Sequence, residues 1–382
     1  MTSLKHHWPL VALALTLVLV VLLNIRPYGS NVTSIFHIDK VLHDQNPMPK
    51  GFVILGVPSY DGAQYYQIAR NMPKILSPSR WHELRNISPG SYAYQRFLLP
   101  LTAFVLSLGQ EAALPYAFLF INIFALLLTA AAILRKDKHP IYALALCLSP
   151  AAIVAMHFTL AEPLTILLIT IVLLRYSEKK NIAVLDIALL SLLVLAREVN
   201  ILFIAYLLGF SILTRNWRDA LKLLIPATVF VAWHAVIFGI FDNIPFLISA
   251  EAKVFPFSEP IKNMLGVYGY DQFSLSAIAL FLGFVLPGLI WICRDILTTK
   301  KLEALSLGAL AFFGVMLLMP HYIWGSITSI GRVITPVYPL YILALANRDT
   351  RLTRVLALLI LLIGLGAAAG LARSVHPYSI AP

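Results

Sequence analysis

The chain has 382 residues, of which 59% are hydrophobic and 12% charged, with a formal net charge of +11 and a mean hydropathy of +0.82. Soluble globular domains carry about a quarter of their residues as charges, so that class is excluded. A membrane β-barrel is excluded too, because its strands would read as short alternating segments.

The positive charge is not a nucleic-acid signature. Lys and Arg sit in short clusters between apolar runs, as topology signals do, and no nucleic-acid partner is expected. The remaining class is all-α, a polytopic helical bundle forming a single membrane domain over 1–382. Its apolar runs recur near the ~20 residues a helix needs to cross a bilayer. Cys147 and Cys293 fall in or at the edge of such runs. They read as inert, with no disulfide or metal spacing.

Residues 1–25 open with Lys5, His6 and His7 before an apolar run over 8–23. The run is long for a signal peptide, and Asn24-Ile25-Arg26-Pro27 is no small-residue cleavage site. An uncleaved first span is predicted, with its N-terminus cytoplasmic. Residues 26–112 form a long outer loop. Later spans are expected over 113–240 and 273–382, with a second outer loop at 241–272.

The basic clusters at 135–138, 175–180, 215–222, 294–301 and 348–354 are each separated from the next by two apolar runs. All five can then face the cytoplasm. The spans fall near 113–134, 140–155, 162–175, 182–196, 199–214, 222–240, 273–292, 304–319, 333–346 and 353–371, which with the first makes eleven. Residues 96–109, RFLLPLTAFVLSLG, would flip the parity of every later loop if they crossed. Their short apolar stretch suits an interfacial helix, and the alternative is a twelfth span. No internal repeat or low-complexity tract is visible.

The polar residues of interest lie in the outer segments. In PSYDGAQYYQIARN (58–71), Asp61 is suited to cap a helix or to act as a general base. Gln64 and Tyr65 lie beside it, and Gly62 allows close backbone approach. In SYAYQRFLLP (91–100), Tyr94, Gln95 and Arg96 fit either interfacial anchoring or a phosphate clamp, since a planar guanidinium matches phosphate oxygens. Glu162, before Pro163, complements a helix dipole or faces an aqueous cavity. Arg197 and Glu198 in LAREVN form a polar hairpin tip or line the same cavity. His321, Tyr322 and Trp324 precede Arg332. The aromatic pair reads first as interfacial anchors, and Arg332 as a partner for lipid or ligand phosphate. All these acids and guanidinium groups fall on one face under a topology drawn from the basic clusters alone.

YDGAQYYQIA, YAYQRFLLP, LAEP and LAREVN resemble segments of bacterial integral membrane proteins similar to the PIG-V-type mannosyltransferases of the GT-C glycosyltransferase superfamily. The resemblance covers about residues 55–200; beyond that it rests on hydropathy and RVITPVYP. It implies a polyprenyl-phosphate-linked sugar, mannose among the candidates, as donor substrate. A lipid- or glycan-linked acceptor would meet it at the outer face of a bacterial inner membrane. It further implies that Asp61 is catalytic, that Glu162 is a second outer-loop acid, that Arg332 contacts donor phosphate and that 96–109 is a juxtamembrane helix. A single acid stands at 60–61 where the family often has a pair, so no metal is assigned.

The rivals are a transporter or flippase of lipid-linked sugars, an outer-face glycan polymerase or ligase, and a structural scaffold. Asp186 is the clearest acid within a span. The transferase reading requires Asp61 to meet Glu162, Arg197 and Arg332 in one pocket.

Overall fold

A computed structural model describes residues 4–85, 90–179, 181–243, 258–267, 272–300, 303–333, 335–374 and 376–381. The helices of the first part are α1 (Leu4–Ile25), α2 (Lys40–Gln45), α3 (Asp61–Arg70), α4 (Met72–Ile75), α5 (Trp81–Leu84) and α6 (Leu98–Leu106). The bundle continues with α7 (Leu114–Leu134), α8 (Pro140–Cys147), α9 (Pro150–Phe158), α10 (Glu162–Lys179), α11 (Val184–Ala196), α12 (Ile201–Leu213) and α13 (Trp217–Phe241). The last part holds α14 (Ser258–Met264), α15 (Gln272–Leu280), α16 (Leu286–Thr299), α17 (Ala304–Leu317), α18 (His321–Trp324), α19 (Ile327–Val333), α20 (Val337–Arg348) and α21 (Arg351–Ala372). Most of the second expected outer loop, 241–272, lies outside the described residues.

By length and composition, five helices among the described residues can cross a membrane alone, or seven if the bent pairs α8–α9 (42°) and α19–α20 (64°) each count as one. Helices or bent pairs occupy all the positions of the expected spans, yet α11, α12 and α17 are shorter than a full crossing. The outward faces are apolar: Leu15 and Leu19 of α1, Tyr116 and Phe120 of α7, and Leu221 and Val231 of α13 are exposed. Water would not tolerate so large an apolar surface, and the chain is a helical membrane protein. The segment 96–109 holds only the nine-residue α6, which rises about 13 Å and is too short to span.

α7 packs on α10, α13 on α11 and α12, α9 on α21, and α17 on α20. At one end of this bundle the basic clusters meet. Lys136 pairs with Glu178, Arg175 with Asp186, Lys222 with Asp219, and Arg348 with Asp295 at 2.8 Å. The carbonyl of Ala346 accepts from Lys138, and Asp219 accepts from the Ile182 amide. Asp186 is therefore no mid-span acid: it sits in the first turn of α11 and accepts from the Ala183 amide. Cys147 is buried as expected, whereas Cys293 is exposed.

Residues 26–85 cover the other end. They include two short strands, β1 (Ile38–Asp39) and β2 (Val53–Leu55), that a wholly helical reading does not foresee. β1 and β2 pair in parallel. β3 (Tyr378–Ile380), beyond the last helix, pairs antiparallel with β2. α3 seats on the end of α9 through Gly62: a Cβ there would lie 2.0 Å from the Phe158 carbonyl oxygen. Only glycine permits that approach, and it delivers Asp61 to the bundle.

Candidate functional site

Six charged side chains from distant parts of the chain form one alternating row. Arg96 donates from Nε to Glu198 Oε2 and from Nη2 to Glu198 Oε1, each at 2.8 Å. Its Nη1 donates to Asp61 Oδ2. The same Asp61 oxygen lies 3.0 Å from Arg332 Nη2. Arg332 Nη1 reaches Glu162 Oε1 at 3.3 Å, and Arg197 Nη1 reaches that oxygen at 2.9 Å. The row reads Glu198, Arg96, Asp61, Arg332, Glu162, Arg197.

Each charge is positioned by an element end. Asp61 opens α3, Glu162 opens α10, and Arg197 and Glu198 fill the turn between α11 and α12. Arg332 ends α19, where its Nε also donates to the Thr328 carbonyl at 2.9 Å. Arg197 Nη1 donates to the Arg332 carbonyl at 2.8 Å, which ties the two outer turns together.

Asp61 does not cap α3. The N-cap is Tyr60 and no side chain caps the helix; the carboxylate turns instead toward the two guanidinium groups. Burial pushes the Asp61 carboxyl up, but Arg96, Arg332 and Arg197 outweigh it and hold it well below the usual carboxylate range. The row is balanced, three cations against three anions, which is how buried charge is tolerated. Some valences stay open: Glu162 Oε2, Arg197 Nε, Gln64 Oε1 and the Tyr65 hydroxyl are buried with no hydrogen-bond partner among the described residues.

Asp61, Arg96, Arg197, Glu198 and Arg332 of the row floor a cavity of about 440 Å³, and Glu162, expected at an aqueous cavity, is instead fully buried behind them. Tyr92, Gln95 and Ser329 add to its polar side, and Ile201, Leu202, Met319, Ile323 and Val333 make the other side apolar. A pocket charged at one end and greasy at the other fits an amphiphile with a small ionic head. Among the described residues, no group of three or more His, Cys, Asp or Glu could hold a metal ion.

Of the expected residues, Asp61, Arg96, Glu162, Arg197, Glu198 and Arg332 come together. Gln95 lines the cavity, and its Oε1 accepts from His234 Nε2 at 3.1 Å. Tyr65 is fully buried, within electrostatic reach of Asp61, Glu162 and Arg96, and burial pushes its phenol up. Tyr94 belongs elsewhere: its ring packs 4.8 Å from that of Phe241, in a separate apolar cluster with Ile68, Met72 and Ile237. The His321 side chain lies outside the described residues. Trp324 is no interfacial anchor; it is fully buried and donates from Nε1 to the Met316 carbonyl at 3.0 Å.

Two tyrosines escape the sequence reading. The Arg96 guanidinium stands 5.0 Å from the Tyr92 ring centroid, and its Nη2 donates to the Tyr92 hydroxyl at 2.7 Å. Arg332 stands 5.0 Å from the Tyr60 ring. Tyr92 precedes Arg96 by four residues and Tyr60 adjoins Asp61, so proximity in sequence is the signal that could have found both. No family model matches the chain, and no curated protein or solved structure matches it.

Proposed function

We propose that the protein is a membrane glycosyltransferase of the GT-C kind, similar to the PIG-V-type mannosyltransferases. It moves a sugar from a polyprenyl-phosphate donor to a lipid- or glycan-linked acceptor. In this reading the helical segments make eleven crossings of a bacterial inner membrane. The basic clusters and N-terminus are cytoplasmic, and the charged row lies at the outer face. The observation that carries it is the alternating row of acids and guanidinium groups flooring a half-apolar cavity.

The chemistry is a direct displacement. The apolar wall takes the first prenyl units, and the donor phosphate takes hydrogen bonds from Arg96 and Arg332. Asp61 loses those partners. A carboxylate so tightly paired is a weak base, and release from the guanidinium groups raises its proton affinity. Asp61 then accepts the acceptor hydroxyl proton while the hydroxyl oxygen bonds to the anomeric carbon. The bond from that carbon to the phosphate oxygen breaks, and the polyprenyl phosphate leaves with the electron pair. Cations already in place stabilise the departing charge. The base is thus competent only when donor is seated.

Purified protein in nanodiscs, given a radiolabelled polyprenyl-phosphate sugar and membrane-extracted acceptor, tests this. Asp61→Asn is expected to abolish transfer while the fold persists at a lowered thermal midpoint, because three buried cations then face two anions but Arg96 keeps Glu198 and Arg332 keeps Glu162. Wild-type rates in that variant would overturn the assignment. The two bent helix pairs favour a second reading, a flippase of lipid-linked sugars, since discontinuous helices mark transporters. Flipping of a labelled lipid-linked sugar in proteoliposomes that survives Asp61→Asn, with transfer never seen, would favour it.

A further inference from the structure

A second cavity, of about 500 Å³, lies on the opposite flank of α3. Gln67, Arg70, Asn71 and Lys74 line it at the i, i+3, i+4, i+7 spacing of one helical stripe, running from α3 into α4. Arg70 follows Asp61 by nine residues, about half a turn around the axis, so this cleft and the charged row sit back to back. Asn46 and Glu111 close its sides.

The lining differs from that of the charged row in its amides and in the greater exposure of its ion pairs. Its cations already carry carboxylates: Arg70 Nε donates to Glu111 Oε1 at 2.9 Å, and Lys74 Nζ lies 3.5 Å from Glu83 Oε2. Arg70 Nη1 also donates to the Pro47 carbonyl at 2.8 Å, which fixes the guanidinium as a flat wall. An amphiphile's tail finds little apolar surface here. The cleft instead offers amide groups, which donate and accept at once, beside a carboxylate and an ammonium. Gln67 is 1% exposed. Among the described residues its Nε2 has only the Met48 sulfur at 3.6 Å, and its Oε1 has no partner. A buried carbonyl oxygen without a donor is costly. A ligand with several hydroxyl groups, each a donor and an acceptor, satisfies such a lining.

We propose that this cleft is a saccharide-binding site, distinct from the charged row, that takes a neutral oligosaccharide. It stands on its own lining and does not depend on the transferase reading.

The test uses the full chain in nanodiscs, with mannotriose, maltotriose and chitotriose as probes and saturation-transfer NMR as readout. At least one trisaccharide is expected to bind saturably. Its affinity should fall about tenfold or more in Gln67→Leu, through loss of a buried hydrogen-bonding group, and should fall in Lys74→Ala. Lys74 is half-buried, so that variant keeps the test open if Gln67→Leu misfolds. Asp61→Asn is expected to bind as the wild type does. Absence of saturable binding by all three probes overturns the proposal. So does binding that persists in both cleft variants, binding lost in Asp61→Asn but kept in Gln67→Leu, or displacement of the saccharide by inorganic phosphate.

Discussion

Both ends of the bundle are rich in ion pairs, yet among the described residues the pairs buried on both sides gather at one end. At the end that gathers the basic clusters, Lys136 and Glu178 keep 36% and 49% of their side-chain surface exposed, and Arg354 and Asp349 keep 46% and 40%. At the other end, Arg197 and Glu162 keep 1% each, and Arg96 keeps 4%. Exposed pairs contribute about 0–1 kcal/mol. Buried charges contribute little net stability, but removing one partner costs about 3–5 kcal/mol. A protein that gathers six such charges at one end accepts that cost for something other than stability.

The comparison breaks most sharply at Arg96. Arg96→Leu leaves Glu198 and one side of Asp61 uncompensated and is expected to cost about 3–5 kcal/mol, seen as a large fall in thermal midpoint in detergent. Arg96→Lys should fall between the two, because an ammonium cannot reproduce the bidentate grip. Gly62→Ala comes next. Its methyl group would meet the Phe158 carbonyl, so α3 must lift from α9 at about 1–3 kcal/mol, with Asp61 drawn out of the row. A midpoint equal to that of the wild type would show that the seat of α3 is loose.

A third measurement concerns pH. Burial, then His157 and His376, hold the His37 imidazole well below its ordinary range. The unfolded chain therefore takes up a proton that the folded one refuses. This contribution is full above pH about 6.5 and fades as pH falls below it. His37→Asn should flatten the acid side of the stability curve; an unchanged slope would place the proton elsewhere. The smallest effect is expected at the opposite end. Lys136→Ala should shift stability by under about 1 kcal/mol, and a larger loss would mean that the exposed pairs also hold the bundle together.

Hydropathy located the helices well, because burial in lipid or protein demands long apolar runs whatever the partner. Charge parity did more than expected. Counting basic clusters put Asp61, Arg96, Glu162, Arg197, Glu198 and Arg332 on one face, and the structure joins them within hydrogen-bonding distance. What sequence could not supply was direction. Asp61 looks like a helix cap by residue type, and only the approach of Arg96 and Arg332 turns its carboxylate away from the backbone. Tyr92 and Tyr94 are indistinguishable by composition. The short helix over Ser91–Gln95 sends one to Arg96 and the other under α13. The strands were illegible because two- and three-residue pairings carry no periodicity, and one of them comes from the far end of the chain.

That distant strand sets an order of events. The Gly51 amide donates to the Ala381 carbonyl at 3.0 Å, and the Ala381 amide donates to the Phe52 carbonyl at 2.8 Å. Residues translated among the first hundred thus await partners that leave the ribosome only after α21. The sheet at this end can be closed only late in biogenesis, once α21 and β3 have been made.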